Sequence, residues 1–95
     1  MKRKKEIENK NINIKIISWI KRGKQRRNII KYIKEEDTPS EIANKSGYSL
    51  NNTSRVLNEF KKIGIVRCLN PKEKTGRLYK LTKKGKLIRD KLSKT

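Results

Sequence analysis

Asn51, Arg55, Asn58 and Lys62 recur at helical spacing, facing away from a stripe of Leu50, Thr53, Val56, Leu57, Phe60 and Ile63. At ~100° per residue these sets fall on opposite faces of one helix, with Ser54 on one flank and Asn52 on the other. The polar set suits recognition rather than catalysis. An amide can pair bidentately with adenine and a guanidinium with guanine, while hydroxyl and ammonium groups serve bases or phosphates. Reading helices approach base edges with their N-terminal turns. Asn51, Asn52 and Arg55 are therefore the expected base readers, with Ser54 and Asn58 as secondary contacts. For any one of these residues the bland alternative is a solvated side chain on an exposed face.

The charge around this helix selects the class of partner. The 95 residues include 28 Lys plus Arg against 9 Asp plus Glu and no His, a formal net charge of +19. Such an excess repels itself and attracts polyanions through counterion release; a solubility adaptation or biased residue usage is the alternative. Only 32% of residues are hydrophobic, so one domain with a small core is expected.

The composition also narrows the other classes. An enzyme is not expected, since there is no His, no phosphate-cradling Gly motif, and one Cys without a candidate base. Cys68 alone cannot form an internal disulfide, and no Cys/His cluster offers a metal site. Within the apolar run IGIVRCL it reads as an inert buried thiol. No apolar run nears the ~18 residues that span a bilayer. The start lacks the continuous apolar region and cleavage site of a signal peptide. A cytoplasmic, nucleoid-associated location without membrane contact follows as the expectation.

Several elements must position the polar row. Residues 1–10 read as a flexible basic arm whose Lys2, Arg3, Lys4 and Lys5 are candidates for phosphate or minor-groove contact. From Ile12 the pattern is ambiguous. Ile12, Ile14 and Ile16 alternate as in a strand, whereas Ile16, Ile17 and Ile20 with Trp19 suit a helix ending at Gly23, which is favoured. Trp19 reads as a core or dimer anchor. A second helix is expected over 24–34 with Ile29, Ile30 and Ile33 inward.

Thr38-Pro39-Ser40-Glu41 is a helix start, with Thr38 as cap, Pro39 in the first turn and Glu41 closing a capping box. That third helix runs over 39–46 to Gly47. Ser49 caps the fourth, which continues to about Ile63 and stops at Gly64. Ala43 is small where the two helices cross, and Gly47 suits a turn needing positive φ. Ile42, Tyr48 and Val56 suit their shared core. Ser46 and Thr53 stand where a larger aliphatic is usual, and both can bond back to the backbone.

Residues 65–69 and 77–81 read as short strands around the charged turn NPKEKTG, a hairpin with a protruding tip. Thr82 caps a last helix over 83–92, with Leu87, Ile88 and Leu92 as a thin apolar stripe. Lys72, Lys74 and Arg77 on the hairpin, Ser40 at the third helix start and Lys62 are the expected phosphate contacts; Arg26 or Arg27 could join them. The fold class is thus mainly α with a small β-hairpin, a winged helix-turn-helix occupying 11–95. Its helix-turn-helix spans 38–63, its wing 65–81 and its C-terminal helix 83–92.

The stretches TPSEIANKSGYSLNNTSRVLNEFKKIGIV, RLYKLTKKGK and SWIKRGKQRRNIIKYI, together covering most of Ile16 to Ile88, resemble small archaeal and bacterial winged helix-turn-helix regulators of the ArsR/MarR kind. The resemblance implies a DNA-binding regulator, often dimeric, with its fourth helix in the major groove. This chain departs from metal-sensing members, since it has one Cys and no His. No cofactor is expected, and no domain for a small-molecule effector fits. The expected partners are double-stranded DNA and a second copy of the chain. Ile14, Ile17, Trp19 and Leu87 to Leu92 are candidate dimer surfaces, or equally intradomain core. The leading expectation is a sequence-specific transcription regulator. The alternatives are a non-specific architectural or chromatin protein, or an RNA- or ribosome-associated basic module.

Overall fold

The computed structural model describes residues 14–34 and 36–93. The chain is mainly helical with one small antiparallel sheet. In order come α1 (residues 14–22), α2 (Lys24–Tyr32), α3 (Pro39–Ser46), α4 (Leu50–Lys62), β1 (Val66–Cys68), β2 (Tyr79–Leu81) and α5 (Lys83–Ser93). The basic arm and Ile12 lie outside the described residues. The ambiguous opening segment is helical: Ile16 and Ile20, one turn apart, are buried. Ile14, which a strand would place beside Ile16, is 62% exposed.

Helix α2 stops at Tyr32, two residues short of the expected end, because Ile33 turns extended (ψ 115°). The Lys34 amide then donates to Asp37 Oδ2 at 2.6 Å. Asp37 is buried, and its other oxygen takes the Lys45 ammonium at 3.4 Å. Its backbone pairs with Tyr79 in both directions, N–H to O at 3.2 Å and 2.8 Å. In the sequence Asp37 is simply the last residue of the acidic run Glu35-Glu36-Asp37; in the fold it ties α2, α3 and β2 together.

The caps of α3 and α4 fall where expected. Thr38 Oγ1 accepts the Glu41 amide at 3.2 Å, and Ser49 Oγ accepts the Asn52 amide at 3.1 Å. Glu41 does reach back, but its carboxylate takes the Thr38 hydroxyl (3.1 Å) instead of the backbone N–H of the expected capping box. The cap uses a lone pair of that hydroxyl and leaves its proton to donate. Gly47 adopts φ +80° and closes α3 through its amide to the Ala43 carbonyl at 2.9 Å. A side chain there would be strained. Tyr48, half-buried beside the core, accepts a bond from Asn28 of α2 through its hydroxyl at 2.7 Å.

The core joins Ile20, Ile29, Ile30, Ile33, Ile42, Leu57, Phe60, Ile65, Leu81 and Ile88. Each such burial contributes on the order of 2 kcal/mol. Three expectations about its margin need correction. Leu50 is 49% exposed, because it lies in the first turn of α4 at the edge of the stripe, where no element covers it. Leu87 is 60% exposed, since Gly85, Ile88 and Leu92 share the inward face of α5 and Leu87 lies a full step off it. Ser46 bonds back to the Ala43 carbonyl at 3.3 Å, but the Thr53 hydroxyl does not bond back. It is fully buried without a partner, enclosed by core while the Ser49 carbonyl takes only the Thr53 amide.

The strands are shorter than expected and pair Val66 with Leu81, Arg67 with Lys80 and Cys68 with Tyr79. Beyond them Asn70 closes the hairpin loop, accepting the Leu78 amide (2.7 Å) and donating to the Gly76 carbonyl (3.1 Å). Cys68 is half-buried rather than buried, since β1 is paired on one side only, and its thiol lies 3.6 Å from Asn70 Oδ1. Thr82 caps α5 by accepting the Gly85 amide (3.0 Å) and donates its hydroxyl to the Gly64 carbonyl (2.5 Å). Its amide bonds the Ile65 carbonyl at 2.9 Å. At Gly85, α5 crosses that carbonyl so closely that a Cβ would lie 2.2 Å from the Ile65 oxygen.

Two substitutions test this packing by urea denaturation. Gly85→Ala drives a methyl into backbone and is expected to lower stability by about 3 kcal/mol; an unchanged midpoint would contradict the close crossing. Thr53→Val replaces the unpartnered hydroxyl and is expected to raise stability by about 1 kcal/mol. A loss of that size would mean the hydroxyl is bonded.

Candidate nucleic-acid interface

The start of α3, one flank of α4 and the hairpin loop border a cleft of about 540 Å³. Five of the expected contact residues meet there: Ser40 from α3, Ser54 and Asn58 from α4, Lys74 and Arg77 from the hairpin. Leu50, Ser54 and Asn58 form one rail of α4, four residues apart, because that spacing returns a side chain to nearly the same direction. The Asp37–Tyr79 pairing holds this arrangement, since Ser40 follows Asp37 by three residues and Arg77 precedes Tyr79 by two. Arg77 is further fixed by Nε donating to the Glu73 carbonyl at 2.8 Å.

The remaining expected residues lie elsewhere. Asn51 and Lys62 are exposed on the outer face of α4, Lys62 about 18 Å from Leu50 along the axis. Asn52 is half-buried on the opposite flank. Arg55 faces a second cleft with Gly23, Lys24, Gln25 and Glu59, where its Nη2 donates to Gln25 Oε1 at 3.2 Å. The base-reading row is therefore split between two flanks, for α4 advances ~100° between Ser54 and Arg55. Lys72 is exposed on the hairpin turn and does not line the first cleft.

One loosely expected role changes, and one expected pair of alternatives narrows. Arg26 stacks on Trp19, its guanidinium carbon 4.2 Å from the ring centroid, and Nη1 donates to the Trp19 carbonyl at 2.6 Å. Trp19 in turn meets Phe60 edge-on at 6.0 Å. Both residues are thus committed within the domain, Arg26 away from a phosphate role and Trp19 as a core anchor. Ile17 and Leu92 also pack against the core and Ile88 is in it. Of the apolar dimer candidates, Ile14 and Leu87 remain exposed.

Among the lining residues that the sequence does not mark for contact are Gln25, Thr75 and Leu50. Gln25 precedes its partner Arg55 by thirty positions and sits in a different amphipathic pattern, so nothing local marks it. Thr75 is one polar residue of a charged turn. Leu50 carried a signal in the wheel, where it stands at the stripe's edge.

The first cleft offers amide and hydroxyl hydrogen-bonding groups, two cations, and one exposed apolar side chain, with no acid in its lining. Among the described residues no group of three or more His, Cys, Asp or Glu converges as metal ligands. No described helix is long and apolar enough to cross a membrane. The arrangement suits an anionic partner with hydrogen-bonding edges. No family model, curated protein or solved structure matches the chain.

The different commitments of the two neighbouring arginines can be measured. Arg26→Ala is expected to lower stability by about 1–2 kcal/mol through the lost stacking and charged hydrogen bond. Arg27→Ala, at an exposed position, should leave the thermal midpoint unchanged. Equal effects of the two would remove the structural role assigned to Arg26.

Proposed function

We propose that this chain is a winged helix-turn-helix protein that binds double-stranded DNA at specific sequences as a transcription regulator. The observation that carries the reading is the cleft in which Ser40, Ser54, Asn58, Lys74 and Arg77 meet. A major groove about 12 Å wide admits one helix. Helix α4 has its inner face occupied by Val56, Leu57 and Phe60, leaving its outer face for a partner.

In this reading Asn51 and Ser54 meet base edges from the first two turns of α4, and Asn58 from the third. Arg55 joins them by exchanging its exposed bond to Gln25 for a guanine edge, a bond weak enough to give up. Leu50 offers an apolar contact to a thymine methyl. The hairpin acts as the wing, with Lys74 and Arg77 on the backbone or in the minor groove, and Ser40, Lys62 and Lys72 on phosphates. Of the apolar dimer candidates, Ile14 and Leu87 are exposed and available for self-association as a homodimer. The net charge of +19 supports tight, salt-dependent association and a place on the nucleoid.

The test is selection of sites from random duplexes, followed by affinities for the winner and a scrambled duplex across salt concentrations. A specificity ratio of about a thousandfold or more is expected. Asn58→Ala and Arg55→Ala should each relax preference at one base position by about 1–3 kcal/mol. Lys74→Ala should weaken all duplexes alike and lower the salt slope by about 1. A ratio under about tenfold, with a steep salt slope, would reject a sequence-specific regulator in favour of an architectural DNA-binding protein.

A further inference from the structure

Helices α1, α2 and α5 enclose a separate cleft of about 380 Å³ that shares no lining residue with the one between α3, α4 and the hairpin. Lys21 enters from α1, Arg27 and Lys31 from α2, and Arg89 from α5, beside the apolar Ile30 and Leu92. No acid lines this cleft. Asp90 lies 3.6 Å from Arg89 and points largely into solvent. Of the other described acids, Asp37 is on Lys45, Glu41 on Thr38, Glu59 beside Arg55 and Glu73 in the hairpin, while Glu36 is exposed in the link between α2 and α3.

Helix ends explain only part of this cluster. Lys21 and Lys31 stand in the last turns of α1 and α2, where the partial negative charge of about half a unit favours a cation. Arg27 stands in the first turn of α2, where the same dipole disfavours one. Four like charges thus converge from three helices, and among the described residues only Asp90 pairs with one of them. An anion is what would neutralise them.

Lys21, Arg27 and Lys31 are exposed at the rim, and Arg27 and Lys31 lie about 6 Å apart along α2. Cations so spread meet a run of backbone phosphates better than one enclosed small anion, Arg27 and Arg89 as forks and the lysines as point charges. The geometry points to a second backbone-binding site, by which one protein molecule holds a second duplex while α4 and the hairpin engage the first. This inference rests on the proposed DNA binding.

The experiment immobilises a duplex bearing the selected site and measures capture of a labelled second duplex without it, at about 0.2 M salt. Wild type is expected to capture the second duplex. Lys21→Glu/Lys31→Glu should bind the site duplex within about twofold of wild type while capture falls at least tenfold. The Lys21→Gln/Lys31→Gln variant should fall less, and circular dichroism checks that both stay folded. A charge-matched control, Lys83→Glu/Lys86→Glu, should retain capture.

Four results would overturn the second site. The first is a wild type that binds one duplex and captures no other. The second is a Lys21→Glu/Lys31→Glu variant that captures as wild type does, as bridging by two copies of α4 would allow. The third is a site-duplex affinity that falls as far as capture does, which would assign the cations to the first duplex. The fourth is an equal loss of capture in the control, making net charge the cause. Absence of binding to any duplex would instead overturn the proposed function, and this site with it.

Discussion

Asp37 pairs with Tyr79 through both backbone groups, and the geometry of the candidate cleft depends on that pairing. It fixes the start of α3 against the stem of the hairpin, so that Ser40 and Arg77 face one space. The carboxylate secures the same residue from below, accepting the Lys34 amide and the Lys45 ammonium. A buried acid is tolerated only when it is paired and hydrogen-bonded, and Asp37 meets both conditions. Its position also ends α2, for the extended backbone at Ile33 delivers the Lys34 amide to it.

A second junction holds the far side of the hairpin. Thr82 bonds the carbonyl of Gly64, accepts the amide of Gly85 and pairs its own amide with Ile65. The bare Gly85 lets α5 approach that backbone, and the Lys84 ammonium reaches the Ile63 carbonyl at 3.0 Å. The stretch YKLTKKG is therefore a packing unit: Tyr79 and Leu81 enter the core, Thr82 turns the chain, and Gly85 permits the crossing. With a two-stranded sheet too small to stand alone, these junctions attach the hairpin to the helices.

Charge is distributed with equal economy. With 9 acids against 28 basic side chains, few anions are available to compensate cations. Among the described residues two ion pairs form, Lys45–Asp37 and Arg89–Asp90. Polar attachments fall instead on backbone carbonyls and rings, as when Arg26 takes the Trp19 carbonyl and stacks on its indole. The remaining cations stay at the surface, some of them lining the clefts, because a small apolar core admits none of them.

The sequence by itself determined what is local: the helical periods, the caps at Thr38, Ser49 and Thr82, the positive φ at Gly47, and the inner and outer faces of α4. Each follows from interactions within a few residues, so type and spacing suffice to show it. It also marked Ser40, Ser54, Asn58, Lys74 and Arg77, which do share a cleft. Tertiary structure decided the rest. It buried Asp37, paired Arg55 with Gln25, committed Arg26 to Trp19, left Leu50 and Leu87 exposed and enclosed the Thr53 hydroxyl without a partner. Those outcomes depend on which elements meet, from seven positions apart for Arg26 and Trp19 to thirty for Arg55 and Gln25, or on which margin of a helix a neighbour happens to cover. A wheel gives the direction of a side chain; only packing supplies what stands in that direction.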